Sequence, residues 1–162
     1  MPKIFKQRNH NHLHCIEDAL DQASRLCAKQ DARLTKLRAR VLELIWRSHR
    51  PVGAYDLLDM LRDERRSAAP PTVYRALDFL IEHGLVHKIE SQNTYIGCSG
   101  SVGHDHPSQF LICRQCGIAA EITDARIDDA IGDMAAEAGF TVADRTLEVE
   151  GYCPDCRTTG HV

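Results

Sequence analysis

The chain has 162 residues, 43% of them hydrophobic, which suits one large or two small domains with an ordinary buried core. Its net charge of -3 argues against indiscriminate polyanion binding, and no apolar run approaches the ~20 residues of a membrane span. The charge is uneven: residues 1–98 carry 16 Lys/Arg against 12 Asp/Glu, whereas residues 99–162 carry 4 against 11.

A basic half joined to an acidic half fits a nucleic-acid module fused to something else; a chance spread of surface charge is the plainer alternative. The start of the chain has no apolar segment of the kind a secretory signal needs. Seven cysteines, four of them in ligand-like pairs, suit a reducing cytoplasm. Residues 12–30 predict a helix, with Ile16, Leu20, Ala23 and Cys27 recurring on one face. Cys15 and Cys27 read as ordinary thiols, Cys27 in the core. His10, His12 and His14 alternate like metal ligands, but such a run in a frayed terminus is usually solvated.

A second helix is expected from Thr35, its N-cap, to about Ser48, with Leu37, Val41, Leu44 and Ile45 inward and Pro51 beyond its end. Residues 54–65 predict a third, with Tyr55, Leu58 and Leu61 on one face. Pro70-Pro71 then closes a loop, and a fourth helix is expected over 72–83, stopped by Gly84. Its buried stripe is Ala76, Leu77, Leu80 and Ile81, which turns Thr72, Tyr74, Arg75 and Asp78 outward. Alternation over 85–90, a turn at 91–93 and a second arm over 94–98 predict a β-hairpin.

Helices followed by a hairpin make the order of a winged helix-turn-helix. In that geometry the last helix enters the major groove by its N-terminal half. Arg75 is then placed for guanine, and Tyr55, Thr72 and Tyr74 for phosphates or thymine methyls. An all-polar solvated face is the alternative.

Residues 99–108 change composition sharply and mark a linker. Strands are expected over 109–113 and 118–122, a helix from Thr123 or Asp124 to about Ala138, and strands over 140–143 and 146–151. The helix carries the stripe Ile127, Ile131, Met134 and Ala138, suited to a dimer interface. Two Cys-x-x-Cys knuckles, Cys113/Cys116 and Cys153/Cys156, bracket this β-β-α-β-β unit. Each knuckle aims two thiolates at one centre, and together they make a closed tetrahedral zinc site; disulfides or free core thiols are the alternative. The whole is an α+β chain: a winged-helix domain (1–98), a linker (99–108) and a zinc-stapled α/β dimerisation domain (109–162).

A second donor set lies around the linker: His87 and Cys98 on the hairpin arms, His106 in the linker, and Glu121 near the end of the strand after the first knuckle. One sulfur, two nitrogens and one oxygen suit zinc, and the thiolate disfavours Mg²⁺, Ca²⁺ or Mn²⁺. A metal held by all four would fix the angle between the domains. Each residue alone also has a plain structural reading.

The stretches Pro71-Thr72-Val73-Tyr74-Arg75-Ala76-Leu77-Asp78-Phe79-Leu80 and Gly84-Leu85-Val86-His87-Lys88, with the paired knuckles, resemble the ferric-uptake-regulator family, in particular its zinc-uptake-regulator branch. The resemblance runs from Thr35 to Cys156. It implies a homodimeric winged-helix repressor that binds a palindromic operator in double-stranded DNA when zinc-loaded and silences zinc-uptake genes. It also implies structural zinc on Cys113, Cys116, Cys153 and Cys156, and regulatory zinc on His87, Cys98, His106 and Glu121. By the same resemblance Tyr55 and Arg75 touch bases, and Asp59 with Arg62 pairs between neighbouring dimers on one operator. The further site of iron-sensing relatives pairs His104 and His106 with a Glu and a downstream histidine, and no histidine occurs between Ile122 and Cys156, which leaves His104 as a weak accessory ligand or none. No membrane and no small organic ligand is implied.

Other classes fit less well. Zinc deaminases need His-x-Glu and Pro-Cys-x-x-Cys, but Tyr152 precedes Cys153 and no His-x-Glu occurs. A thiol oxidoreductase uses one Cys-x-x-Cys, not two that answer each other. An iron- or manganese-responsive repressor and a zinc-stapled protein-interaction module are the remaining alternatives.

Overall fold

The computed structural model describes residues 4–5, 11–64, 66–100 and 108–158. It begins with α1 (His12–Lys29), capped by Asn11, whose side chain accepts the Leu13 N–H at 3.0 Å. The buried residues of α1 are Cys15, Ala19, Ala23 and Cys27, with Ile16 and Leu20 packed at the margin. Small side chains every four residues let it lie close against α2 (Lys36–Trp46). Thr35 caps α2 as expected, accepting the Arg38 N–H at 3.4 Å. The helix ends at Trp46, two residues short of the expected Ser48.

After α2 comes a strand the sequence reading lacked, β1 (Val52–Gly53), and then α3 (Ala54–Glu64). The buried residues of α3 are Ala54, Leu57, Leu58 and Leu61. Leu58 and Leu61 are buried as expected, but Tyr55 does not share their face: it is 66% exposed. The fourth helix, α4 (Pro70–Glu82), starts earlier than expected. Prolines in its first turn need no amide partner there, and Ala69 supplies no side-chain cap. Val73, Ala76, Leu77, Phe79 and Leu80 face inward, while Ile81 packs at the margin. Gly84, at φ 64, closes the helix as the Leu85 N–H reaches Leu80 O at 2.8 Å.

The hairpin is β2 (Val86–Ile89) and β3 (Thr94–Gly97), with Asn93 at φ 52 in its turn. Strand β1 pairs with the outer side of β3, giving an antiparallel sheet in the order β1-β3-β2. Four helices and this sheet enclose one apolar core of the winged helix-turn-helix type.

The second unit holds β4 (Ser108–Cys113), β5 (Ala119–Ile122), α5 (Ala125–Glu137), β6 (Thr146–Gly151) and a short α6 (Pro154–Thr158) that carries Cys156. Its sheet runs β5-β4-β6, with β4 antiparallel to β5 and parallel to β6. Asp124 caps α5, accepting the Arg126 N–H at 3.0 Å.

Residues 140–143 are not the expected strand. Gly139, at φ 66, ends α5, the Phe140 N–H turns back to Ala135 O at 2.7 Å, and Phe140 is 68% exposed. The segment is the return path that brings β6 parallel to β4. No residue of α5 is buried in the protomer, and Met134 is 71% exposed.

The two sheets share a small core: Ile89 and Ile96 of the first pack with Phe110, Ile112 and Ala119 of the second. Backbone also joins the units, the Ala119 N–H donating to His49 O at 3.0 Å. No helix among the described residues is long and apolar enough to cross a membrane.

Candidate metal centre

The knuckle cysteines converge. The sulfurs of Cys113, Cys116, Cys153 and Cys156 all lie within 4.8 Å of one another. A tetrahedron with zinc–sulfur bonds of 2.3 Å has an edge of about 3.8 Å. The Cys116 Sγ–Cys153 Sγ separation is 3.8 Å. Local chemistry sets the first knuckle: Gly117, at φ 71, lets the chain fold back so that its N–H reaches Cys113 O at 2.9 Å. Burial opposes ionisation of Cys113, but backbone N–H groups of Cys153, Cys116 and Gln115 aim at its sulfur and bring its pKa down to about 6. Cys156 is pushed up to about 12, by burial and then by neighbouring thiols, as expected where four sulfurs share a space that only a cation can reconcile. Phe5 and Ile118 pack against the cluster.

Three of the four residues in the second donor set also meet. The ligand atoms of His87, Cys98 and Glu121 lie within 4.8 Å of one another. His87 stands on β2. Cys98 follows β3, held by its N–H to Leu85 O at 3.0 Å, and Glu121 comes from β5 of the other unit. His106, the fourth, lies outside the described residues, as do His104 and His10.

The Glu121 side chain is only 2% exposed, and such a carboxylate must be paired. Its Oε1 sits 2.9 Å from His87 Nε2, and its Oε2 accepts the Ser99 N–H at 2.7 Å and the Ser99 hydroxyl at 3.1 Å. Burial, and then the Glu121 charge, push the Cys98 thiol up to about 12. A buried thiol beside a buried carboxylate is a poor acid alone and a good ligand once a cation offsets both. The soft sulfur with imidazole and carboxylate fits zinc.

The residues expected at a nucleic-acid surface are carried by α3 and α4. Tyr55, Tyr74 and Arg75 are exposed, and Thr72 is half-buried in the first turn of α4. Asp59 and Arg62 are exposed on α3 and lie 3.8 Å apart in the same chain, with Arg62 Nε also donating to Ala68 O at 3.2 Å. Of the terminal histidines, His14 is exposed beside Glu17, and the ring of His12 lies 5.0 Å from that of His49.

Sequence reasoning missed Ser99, Ser108 and Glu148. Ser108 Oγ lies 3.1 Å from His87 Nδ1, and Glu148 accepts backbone N–H groups from the hairpin turn. None belongs to a motif, and their partners are distant in sequence.

Comparison with known proteins gives consistent matches. Residues 29–150 match the model of the Ferric uptake regulator family. The chain is 41% identical to the Zinc uptake regulation protein of Escherichia coli K12 over 86% of its own length and 82% of that protein's. It is 30% identical to the Ferric uptake regulation protein of the same strain, over 82% and 90%. In structure it resembles a zinc uptake regulator complexed with zinc and DNA, at a TM-score of 0.85 and 39% identity, covering 91% of this chain and 98% of that one. Holo XcZur matches at 0.79 over 87% of this chain and 98% of its own, and apo XcZur at 0.52 over 88% and 97%, both at 41% identity. At equal identity, the arrangement of this chain is thus similar to the holo form.

Proposed function

Starting from the fact that the chain belongs to the ferric uptake regulator family, whose members regulate transcription and are not enzymes, we propose that it is a zinc-responsive repressor. Zinc is its metal and DNA its target. We infer that as a homodimer it holds a palindromic operator when zinc is ample and releases zinc-uptake genes when zinc is scarce. Its domains would be 1–98, 99–108 and 109–162.

One observation carries this reading. His87 and Cys98 of the first unit and Glu121 of the second come together where the two units meet, in a chain whose overall arrangement is more similar to holo than to apo XcZur. Ligands split between two units make metal affinity and closure mutually dependent. By reciprocity, DNA that prefers the closed form strengthens metal binding by the same factor, typically ~1–3 kcal/mol. His106 would complete this regulatory set, and Cys113, Cys116, Cys153 and Cys156 would hold structural zinc.

The exposed α4 N-terminus supports Arg75, Tyr74 and Thr72 as the DNA-facing set, and the exposure of Tyr55 on α3 supports adding it. The apolar residues Ile127, Ile131 and Met134 of α5, none buried in the protomer, support a dimer face. Asp59 and Arg62 would exchange their partnership within the chain for one across dimers.

The test is retention of genomic DNA fragments over a range of buffered free zinc, for the parent and Cys98→Ala. Zinc-dependent retention of a few fragments by the parent, lost in Cys98→Ala, supports the repressor. Absence of retention at any zinc level would favour the protein-interaction module.

A further inference from the structure

We propose that Ser108 and Ser99 are positioning residues of the regulatory site, each setting a ligand that belongs to the opposite unit. This rests on the reading of His87, Cys98 and Glu121 as that site.

His87 stands on β2 of the first unit, whereas Ser108 opens β4 of the second. Ser108 Oγ lies 3.1 Å from His87 Nδ1, and the other ring nitrogen, Nε2, is 2.9 Å from Glu121 Oε1. A neutral imidazole that offers Nε2 to a metal keeps its proton on Nδ1. With a metal on Nε2 that N–H donates to Ser108 Oγ; with a proton on Nε2 shared with Glu121, Nδ1 instead accepts from the Ser108 hydroxyl, so the contact holds the plane of the ring in either tautomer. The T-shaped contact with Phe110, at 5.5 Å between centroids, supports the same plane.

Glu121 is the converse case. It stands on β5 of the second unit, and Ser99, just past β3 of the first, donates both its N–H and its hydroxyl to Oε2. Both bonds go to one oxygen, which leaves Oε1 toward His87.

Neither ligand is therefore set by its own unit alone. With the units apart, the His87 ring loses this partner and the Glu121 carboxylate loses two donors. With the units together, each is oriented before a metal arrives. Zinc affinity then depends on closure through two serines that are not themselves ligands, and closure depends on zinc in return.

The experiment is a competition titration of the chelator-accessible zinc in the full chain, for the parent, Cys98→Ala, Ser108→Ala, Ser108→Thr and Ser99→Ala. The chelator-resistant zinc is counted in each as a check on folding. Ser108→Ala should weaken the accessible zinc about 10–100-fold, the usual cost of removing a partner of a ligand. Ser108→Thr keeps the hydroxyl and should recover most of that loss. Ser99→Ala keeps the backbone N–H and should lose less than Ser108→Ala.

Cobalt(II) in place of the accessible zinc reports ligand geometry: its visible bands should shift in Ser108→Ala and return in Ser108→Thr. Equal affinities and spectra in parent and Ser108→Ala would overturn the positioning role and leave the site standing. A Cys98→Ala chain that binds the accessible zinc as the parent does would overturn the site, and this inference with it.

Discussion

Glu148 of β6 and Glu90 of the hairpin turn are joined carboxylate to backbone: Glu148 Oε1 accepts the Glu90 N–H at 2.6 Å, and Oε2 accepts the Ser91 N–H at 3.1 Å. One residue of the second unit thereby holds the tip of the hairpin that carries His87. Together with the core of Ile89, Ile96 and Phe110, it fixes the hairpin against the second sheet at a point away from the metal ligands.

Glu148→Ala should loosen closure without touching either metal set. Hydrogen bonds at this exposed edge are worth ~1 kcal/mol, so DNA affinity at limiting zinc should fall by up to about fivefold, with the resistant zinc unchanged. The pH dependence has a definite sign. Burial raises the Glu148 pKa, but the Ser91 and Glu90 donors outweigh it and the net shift is downward. A carboxylate lowered in the folded state gives its full stabilisation above its unfolded pKa of about 4.3 and loses it as pH falls through the folded value. The difference in urea midpoint between parent and Glu148→Ala should be constant from pH 7 to pH 5 and shrink below about pH 4. A difference unchanged at pH 3 would show that the ionised carboxylate is not what holds the hairpin tip.

Removing the structural metal should unfold the second unit. Its helix α5 buries no residue, so the core of this unit consists of the few residues shared with the hairpin and the four-cysteine cluster. Structural zinc in small domains is worth ~10–16 kcal/mol, as much as a whole domain's stability. Cys153→Ser should lose the resistant zinc, and amides of β4 and β6 should exchange at the rate of an open chain while those of α2 and α4 stay protected. Hydrogen exchange read by mass spectrometry separates the two regions.

The parts legible in the sequence were those written in local chemistry. The first knuckle carries its own turn at Gly117, and Pro70, Pro71 and Gly84 bound α4. Where the reading slipped, a non-local relation decided. Residues 140–143 read locally as a strand, yet they serve the crossover that brings β6 parallel to β4. Strand β1 is two residues long and exists because β3 offers it an edge. Tyr55 sits off the buried face that Leu58 and Leu61 share, which corrects its expected packing. Ser108, Ser99 and Glu148 act on residues 21, 22 and 58 positions away, and no spacing rule reaches that far.

Arg75→Ala should reduce affinity for the operator by roughly 1–3 kcal/mol and relax base choice at one position in each half-site. Arg75 is exposed on α4, so its loss should leave stability within about 0.5 kcal/mol. Replacement of a residue that touches only phosphate should instead weaken all sequences alike and flatten the salt dependence. Binding-site selection from a random pool distinguishes the two; unchanged selection by Arg75→Ala would move the recognition surface elsewhere.

Gly97 should tolerate no side chain, because Trp46 occupies the space. A Cβ built there would come within 2.6 Å of Trp46 Cζ2, and closer still to Cε2 and Nε1. Trp46 is largely enclosed and cannot simply swing away, so Gly97→Ala forces either the indole or β3 to move, at a cost of ~1–3 kcal/mol. Cys98 is the next residue, and the groove beside Trp46 is also lined by Ser99 and Glu121, so the displacement should reach the regulatory site. The matched control is Gly132→Ala on α5, where an added Cβ meets nothing within 4 Å and should stabilise the helix by up to ~1 kcal/mol. Because Trp46 is the single tryptophan, its emission reads the site directly. Gly97→Ala should lower the melting temperature, red-shift the emission and weaken the accessible zinc together. A lower melting temperature with parental emission and zinc affinity would mean that the indole is not the group that gives way.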